Sequence, residues 1–198
     1  MIAVVIPIKR LSDAKSRLAQ RLGPDQRADL VIALAQRTIS VVERSGLASR
    51  IALVTPEAGL GVRLGVSVVP DGGDLNSSLR AAAGWSLQVG ANSLLILPGD
   101  LALLERNDLH ALLSVRTPGI SIAETDDGGT GALFLVPPDC IEPAFGPGSY
   151  ERHIERATEA GLPVRIVRRQ GLAFDLDTPS DLDRVCRLGV GKISAEQV

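Results

Sequence analysis

The chain begins with a continuous apolar run, Ile2-Ala3-Val4-Val5-Ile6, with no polar residue on either face of a strand. Strands of this kind are buried on both faces and belong to parallel sheets that helices cover on both sides. Similar short runs alternate with stretches of helical periodicity. Strands are predicted at 2–6, 51–54, 66–69, 93–97, 119–123, 132–136 and 164–167, and helices at 24–44, 75–89, 107–115, 149–160 and 181–187.

This alternation predicts an α/β fold, a three-layer sandwich with a mixed, mainly parallel sheet. One reversed strand is expected, because two predicted strands flank the acidic, glycine-rich turn at 126–131. The segment 56–65 is too rich in glycine for a helix to be predicted, and Asn107 and Ser149 are predicted to cap the helices that follow them. The 198 residues contain no repeat or long linker. We therefore expect one domain spanning 1–198, with a frayed tail after about residue 189.

The composition argues against several classes of function. The net charge is −2 and aromatic residues make up 3% of the chain, so neither a basic field nor a stacking platform for nucleic acid is indicated. No apolar run approaches the roughly 20 residues of a membrane span. The apolar start is short and its charges follow it, unlike a signal peptide. Cys140 and Cys186 have no metal-ligand spacing. A cytoplasmic protein is expected.

Charged and small polar residues follow several of the predicted strands. Ligands of open α/β sheets bind at the carboxyl ends of the strands, so these residues are expected to converge on one edge. Ammonium and guanidinium groups bind phosphate oxygens, and carboxylates hold a metal. The combination suits a nucleoside triphosphate with Mg²⁺. The residues concerned are Lys9, Arg10, Lys15, Arg17, Asp71, Gly72, Gly73, Asp74, Leu75, Asn76, Asp100, Asp126, Asp127, Thr130, Asp175 and Asp177.

Each of these signals also has a plain structural explanation. Lys9 and Arg10 are typical of a solvated strand end, and Asp100 would serve as a cap for the segment after it. Asp177 before Thr178-Pro179 is an ordinary helix-start signal. The ordered set of signals, rather than any one residue, favours the triphosphate site.

Six stretches resemble one known family in the family's order. They are IPIKRLSDAKSRL at 6–18, PDGGDLNSSLRAA at 70–82, LILPGDLALL at 95–104, DDGGTG at 126–131, FGPGSYERH at 145–153 and FDLDTPSDLDRV at 174–185. On these motifs the chain resembles the 2-phospho-L-lactate and phosphoenolpyruvate guanylyltransferases of deazaflavin (F-420-type) coenzyme biosynthesis. That family belongs to the nucleotide-diphosphosugar transferase superfamily, so the resemblance implies a Rossmann-like nucleotidyltransferase fold.

The resemblance implies a nucleotide site at the first of these motifs. Lys9, Lys15 and Arg17 would face the triphosphate, where a compact cationic loop replaces the glycine-rich loop of related sugar nucleotidyltransferases. Lys15 would compensate charge on the leaving pyrophosphate, and Arg17 and Asp100 would act in catalysis with it. The residues along the nucleoside would be Asp71, Leu75, Asn76 and Ser77.

A metal site and an acceptor site are implied as well. Asp100 and Asp177, with Asp175 as a further ligand, would hold Mg²⁺. The phosphorylated acid would bind at a helix N-terminus, a natural anion site, through Thr130, Gly146 and Ser149. GTP and this acid are the implied partners, with a downstream deazaflavin transferase and a second copy of the chain as further ones.

The chain departs from the family pattern at one point. The family commonly has Thr-Gly-Thr-Asn-Ala-Leu where this chain has Thr130-Gly131-Ala132-Leu133, which is two residues shorter and lacks the Asn. His153, one turn into the helix at 149–160, is either a support for the acceptor site or a structural histidine.

Several activities therefore stay open. Phosphoenolpyruvate is favoured over 2-phospho-L-lactate, because only three of the 21 basic residues are lysines, which is typical of a GC-rich bacterial gene. 3-Phosphoglycerate, another nucleotidyl acceptor and a non-catalytic nucleotide-binding module are the alternatives. A dinucleotide-dependent oxidoreductase is disfavoured, since no G-x-G-x-x-G follows the first strand.

Overall fold

The computed structural model describes residues 1–70, 72–114 and 117–189. Within these ranges strands and helices alternate, as the apolar runs predict. The strands are β1 (Ile2–Pro7), β2 (Arg50–Val54), β3 (Ser67–Val69), β4 (Ser93–Ile96), β5 (Gly119–Glu124), β6 (Thr130–Val136) and β7 (Val164–Ile166). The helices are α1 (Pro24–Ser45), α2 (Ala58–Leu64), α3 (Leu75–Gln88), α4 (Arg106–Leu112), α5 (Ser149–Glu159), α6 (Gln170–Ala173) and α7 (Pro179–Leu188).

The strands form one mixed sheet in the order β3-β2-β1-β4-β6-β5-β7. β1 pairs in parallel with β2 and with β4, so its carboxyl end lies between theirs. β6 runs antiparallel to both of its neighbours, β4 and β5, while β7 is parallel to β5. The predicted mixed, mainly parallel sheet with one reversed strand is confirmed.

Helices cover both faces of this sheet. Val4 and Ile6 of β1 belong to a core cluster that includes Ile39 of α1 and Leu112 of α4. Alternate residues of β1 pack in a second cluster, on the opposite face, with residues of α3 and α5 such as Leu79. This period-two division of a fully apolar strand between two layers produces the predicted three-layer sandwich.

A third apolar cluster holds helix α7 against the start of the chain. Leu182 and Val185 of α7 are buried with Leu18, Leu34 and Phe174. Two 3₁₀ turns, Leu11–Asp13 and Ser16–Leu18, connect β1 to this cluster. The segment before α7 is thereby placed beside the end of β1. None of the described helices is long and apolar enough to cross a bilayer.

The absence of a helix at 56–65 was a wrong prediction. α2 occupies Ala58–Leu64, and Gly65 ends it in a left-handed conformation with φ 70°. A Cβ on Gly61 would lie 2.3 Å from Val68 Cγ2. Gly61 therefore allows α2 to pack closely on β3 and does not break the helix.

The predicted helix caps at Asn107 and Ser149 were also wrong, because both residues lie inside their helices. α4 begins at Arg106 after Glu105, whose amide donates to the Asp108 carboxylate, so Asn107 lies inside the helix. Gly148 precedes α5, and Ser149 is its first helical residue. The predicted end of α4 at residue 115 was wrong, because the helix ends at Leu112 and Leu113 is its C-cap. Residue 115 itself and the predicted frayed tail from residue 190 onward lie outside the described residues.

Candidate functional site

A cavity of about 640 Å³ opens at the carboxyl ends of β1 and β4. This is the edge at which open α/β sheets bind ligands. The structure brings to it ten of the residues that the sequence singled out. They are Lys9, Arg10, Lys15, Arg17, Gly73, Asp74, Leu75, Asp100, Asp175 and Asp177.

Lys15 is the centre of the cavity's polar wall. Its Nζ lies 2.6 Å from Asp100 Oδ2 and 2.7 Å from Asp177 Oδ1, and its side chain is 6% exposed. The backbone at Lys15 is left-handed, with φ 50° and ψ 41°, between the two 3₁₀ turns. A non-glycine residue pays about 1–2 kcal/mol for this conformation. The turn is thus shaped to direct the lysine inward, where two ion pairs offset that cost.

Arg17 and Lys9 occupy more open positions in the wall. Arg17 Nη1 lies 3.8 Å from Asp177 Oδ2, and its side chain is 72% exposed. Lys9 is exposed as well. Both cations are therefore free to move toward an anionic ligand, unlike the buried ammonium of Lys15.

Asp175 and Asp177 reach the cavity together because the residue between them is buried. Leu176 lies in the core with no exposure, and its amide donates to the Asp100 carbonyl at 3.3 Å. Side chains alternate in extended backbone, so the residues on either side of Leu176 share one direction. One carboxylate oxygen from each of Asp100, Asp175 and Asp177 lies within 4.8 Å of the others.

The pKa values reflect both burial and neighbouring charge. Burial, together with the neighbouring carboxylates of Asp100 and Asp177, raises the pKa of Asp175 to about 6. Burial alone would lower the pKa of Lys15, but the same two carboxylates outweigh it and the pKa is raised. Three carboxylates share one ammonium here. Oxygen ligands at this spacing fit a divalent cation.

The amino end of α3 forms the neighbouring wall. The Asp74 carboxylate caps this helix by accepting hydrogen bonds from the amides of Asn76 and Ser77, and Leu75 faces the cavity. The Ser77 hydroxyl donates to Asp74. Of the residues predicted along the nucleoside, Leu75 is in the cavity wall, Asn76 and Ser77 bind other protein groups, and Asp71 lies outside the described residues.

Asn76 connects α3 to the loop before α5. Its Nδ2 donates to the Phe145 carbonyl at 3.1 Å, and its Oδ1 accepts from the Phe145 amide at 2.7 Å. Arg152 of α5 donates from Nη2 to the Ala144 carbonyl at 2.9 Å and from Nη1 to the carbonyl of Pro147. Phe145 itself lines the cavity. The loop 144–148 is therefore held on both sides.

The predicted acceptor residues form a compact buried group behind this loop. Thr130 Oγ1 lies 2.9 Å from Ser149 Oγ and 3.0 Å from His153 Nδ1. The Ser149 amide donates to the Gly146 carbonyl at 3.0 Å. The three side chains are buried, and Phe145 connects the group to the cavity wall.

Two glycines give this loop its shape. Gly146 has φ 124° and Gly148 has φ 66°, in the region that side-chain-bearing residues rarely adopt. This is the physical reason for the FGPGS motif. Gly131 is required for another reason, because a Cβ there would lie 1.7 Å from the Leu172 carbonyl oxygen. The backbone of α6 leaves no room for a larger residue at that point.

The sequence did not identify the residues that hold the loop. Asn76 was predicted to contact the nucleoside, and neither Phe145 nor Arg152 was given a role. The signal for Arg152 is its place four residues after Gly148, one helical turn into α5. The contact of Asn76 with Phe145 joins residues 69 apart in sequence, and no local pattern predicts it.

Comparison with known proteins identifies the family of this chain. The family model described as "Guanylyl transferase CofC like" matches residues 2–198. A phosphoenolpyruvate guanylyltransferase of Sphaerobacter thermophilus is 41% identical over 187 residues, covering 91% of this chain and 90% of the relative. A phosphoenolpyruvate guanylyltransferase of Rubrobacter xylanophilus is 38% identical over 188 residues, covering 91% of each.

Solved structures share the fold at low identity. A crystal structure from Desulfovibrio desulfuricans G20, assigned to the nucleotide-diphospho-sugar transferases, superposes with a TM-score of 0.80 at 18% identity. The match covers 97% of this chain and 89% of that one. A nucleotidyl transferase from Methanothermobacter superposes with a TM-score of 0.67, covering 93% and 95% of the two chains at 18% identity.

Proposed function

The chain belongs to the family of CofC-like guanylyl transferases, and from this premise we propose that it transfers GMP from GTP to phosphoenolpyruvate and releases pyrophosphate. The observation that carries the proposal is the cluster of Lys15 with Asp100, Asp175 and Asp177 at the cavity edge. Relatives at 41% and 38% identity named for phosphoenolpyruvate support this acceptor.

The proposed chemical step is an in-line displacement at the α-phosphorus of GTP. A phosphate oxygen of the acceptor forms the new P–O bond, and the bond to the β-phosphate oxygen breaks, with its electron pair leaving on pyrophosphate. The nucleophile is already an anion, so no general base is needed. Catalysis then rests on alignment and on neutralisation of charge by Lys15 and Arg17.

Lys15 is suited to this task because its ammonium is buried and charged at neutral pH. Its raised pKa keeps the proton on Nζ there. The exposed side chains of Arg17 and Lys9 would bind the triphosphate as it enters and leaves. Removing Lys15 would leave three carboxylates facing an anionic substrate.

Asp100, Asp175 and Asp177 are the residues that would hold a divalent cation, which we propose to be Mg²⁺. Such an ion supplies charge neutralisation at the phosphates of the substrate. The donor set fits it, since carboxylate oxygens are the ligands that hard cations prefer. The raised pKa of Asp175 also indicates that a nearby positive charge would stabilise its carboxylate form.

The two substrates would bind on different sides of the site. We place the nucleoside along the start of α3 at Leu75, and contacts from Asp71, Asn76 and Ser77 stay predictions. The acid would lie toward Thr130, Gly146 and Ser149. The loop 144–148 then separates the two binding regions, and Phe145 lies between them.

Pyrophosphate release tests the proposal directly. Purified protein with GTP and Mg²⁺ is incubated separately with phosphoenolpyruvate, 2-phospho-L-lactate and 3-phosphoglycerate. Each reaction also contains the deazaflavin acceptor and its transferase, so that an unstable product is consumed as it forms. Release with phosphoenolpyruvate, at a rate well above the other two, is the expected result.

Two other outcomes have defined meanings. Release with a different acid would retain the guanylyl transfer and reassign the acceptor. No release with any acid, in a protein that still binds GTP, would overturn the proposed reaction in favour of a non-catalytic nucleotide-binding module. ATP, CTP and UTP in place of GTP are the matched controls for the nucleotide.

A further inference from the structure

His153 joins the loop before α5 to the buried hydroxyls of the acceptor group. Its Nε2 accepts a hydrogen bond from the Ala144 amide at 2.8 Å, and its Nδ1 lies 3.0 Å from Thr130 Oγ1. Thr130 Oγ1 in turn lies 2.9 Å from Ser149 Oγ. The ring has no solvent exposure, and the two hydroxyl residues are at most 6% exposed. These groups form a continuous chain of hydrogen bonds inside the protein.

The direction of the first bond fixes the tautomer of His153. A backbone amide can only donate, so Nε2 must carry a lone pair. A neutral imidazole then has its hydrogen on Nδ1, which donates to Thr130 Oγ1. Burial, together with the charges of Arg156 and Arg152, lowers the pKa of His153 to about 4, against a smaller opposing effect of a hydrogen bond to the Ser149 backbone. The ring is therefore neutral at physiological pH and has one hydrogen position.

This tautomer sets the order of the hydroxyl hydrogens. Thr130 Oγ1 receives the Nδ1 hydrogen, and its own hydrogen points to Ser149 Oγ, the other side-chain partner found for it. Ser149 Oγ is then an acceptor within the chain. Three hydrogens are present, on Nδ1, Thr130 and Ser149, but the internal bonds use only two of them. The third belongs to Ser149, so the chain ends in a donor.

We propose that His153 is a positioning residue that orders the Thr130 and Ser149 hydroxyls so that Ser149 presents a hydrogen to the anionic acceptor. The inference rests on the proposed function, which places the phosphorylated acid at these residues. An anion needs donors, and a hydroxyl free to rotate would present a lone pair part of the time. The ordered chain removes that alternative before the substrate binds.

Two substitutions separate ordering from simple support of the loop. In His153→Gln the side-chain amide oxygen stands near the place of Nε2, which keeps an acceptor for the Ala144 amide and removes the donor to Thr130. In His153→Asn the amide nitrogen stands near the place of Nδ1, which keeps the donor to Thr130 and leaves the Ala144 amide without its partner. The two variants thus divide the two bonds of the ring.

The expected result is a crossed pattern of effects. His153→Gln should raise the KM for the acid about tenfold, with the KM for GTP within about twofold of the parent and a near-normal melting temperature. His153→Asn should melt lower, because a buried amide has lost its partner, while its KM for the acid stays closer to the parent. If the KM for the acid simply follows the loss of stability in both variants, His153 is only structural and the proposal is overturned.

The tautomer has a readout that does not depend on turnover. His110 is exposed on α4, and its Nε2 accepts from Arg106 Nε at 3.2 Å. In His110→Gln the ring of His153 is the only imidazole, and its nitrogen shifts in an ¹⁵N NMR spectrum report which atom is protonated. Hydrogen on Nδ1 is expected. If the enzyme is active and the hydrogen is found on Nε2, the proposal is overturned. Parent protein that turns over none of the acids would instead signal failure of the proposed function, and with it the role given to the ordered hydroxyls.

Discussion

At the scale of single residues, the site is a problem of charge balance around one buried ammonium. Lys15 contacts two carboxylates directly, and a third, Asp175, lies beside them. The single buried ammonium does not neutralise all three carboxylates. Burial is the main cause of the raised pKa of Asp175, and the charges of Asp100 and Asp177 are the second. The cluster is therefore incomplete as a purely structural ion pair. A cation and an anionic substrate together would complete it.

Asp100→Asn should remove activity without unfolding the protein. The amide still offers Lys15 an acceptor and also relieves repulsion of Asp175, so the melting temperature should stay near that of the parent. The loss of one carboxylate from the proposed metal set should lower kcat by ~100-fold or more. Pyrophosphate release and a thermal melt measure the two quantities.

Asp183→Asn is the matched control for this change. Asp183 is 48% exposed and pairs with Arg21 at 3.1 Å on the surface, where such pairs contribute little. Its variant should keep both activity and melting temperature. An Asp100→Asn protein that is misfolded, or one that retains most of its activity, would contradict the role given to Asp100.

His153 predicts a loss of stability in acid. Its pKa is about 4 in the folded protein against 6.5 for the ordinary group, so between these values the unfolded chain binds a proton that the folded one does not. Stability is then complete above pH 6.5 and falls as the pH drops toward 4, by roughly 3 kcal/mol at most. Urea unfolding at steps from pH 7 to 4, in buffer without metal, measures it.

The comparison for this experiment is His153→Gln, which lacks the titrating ring. Asp175 acts in the opposite sense, since its pKa of about 6 in the folded protein lies above 3.8 and acid between these values stabilises the fold. That contribution is common to both proteins and cancels in the difference. Curves that stay parallel from pH 7 to 4 would contradict a neutral buried His153.

At the scale of elements, the loop before α5 is built by backbone conformation as much as by side chains. Gly148 turns the chain into the helix with φ 66°, and Gly161 ends the same helix region with the same φ of 66°. The two positions impose the same local strain on any other residue. They differ in that only Gly148 adjoins the acceptor group.

Gly148→Ala and Gly161→Ala form a matched pair. Each should lose about 1 kcal/mol of stability, because alanine is disfavoured in the left-handed conformation. Only Gly148→Ala should also raise the KM for the acid, since a shift of the loop displaces the Ser149 hydroxyl. Steady-state kinetics and urea unfolding of both variants test this, and equal effects on KM would contradict the acceptor position.

Local patterns were sufficient for most of these elements and insufficient for others. The apolar run of β1 and the reversed strand after the acidic turn were predictable, because each depends on adjacent residues. α2 was missed because Gly61 serves a contact with Val68 that local sequence does not record. The inward direction of Lys15 depends on its left-handed backbone. The sequence shows no sign of this conformation, because the residue is not a glycine. The set of three carboxylates, Asp100, Asp175 and Asp177, was predictable through motif order, but the ion pairs of Asp100 and Asp177 with Lys15 were not.

At the scale of the whole molecule, the site is assembled from distant parts of the chain. The two ion pairs of Lys15 join it to residues 85 and 162 positions away in sequence. The turns after β1, the end of β4 and the segment before α7 must all be in place before the cluster exists. The apolar cluster between α7 and the start of the chain is what brings the last of these segments into position.

Leu182→Ala therefore should affect the site from a distance. Leu182 is 1% exposed, and removing its side chain leaves a cavity that costs about 2–5 kcal/mol of stability. Because α7 follows directly from Asp177, looser packing should also misplace this carboxylate. We expect a higher Mg²⁺ concentration for half-maximal activity, measured well below the melting temperature. Leu188→Ala, at a residue 57% exposed on the same helix, is the control and should change neither the stability nor the Mg²⁺ requirement. A Leu182→Ala protein that is destabilised but has an unchanged Mg²⁺ requirement would contradict this dependence of the site on the packing of α7.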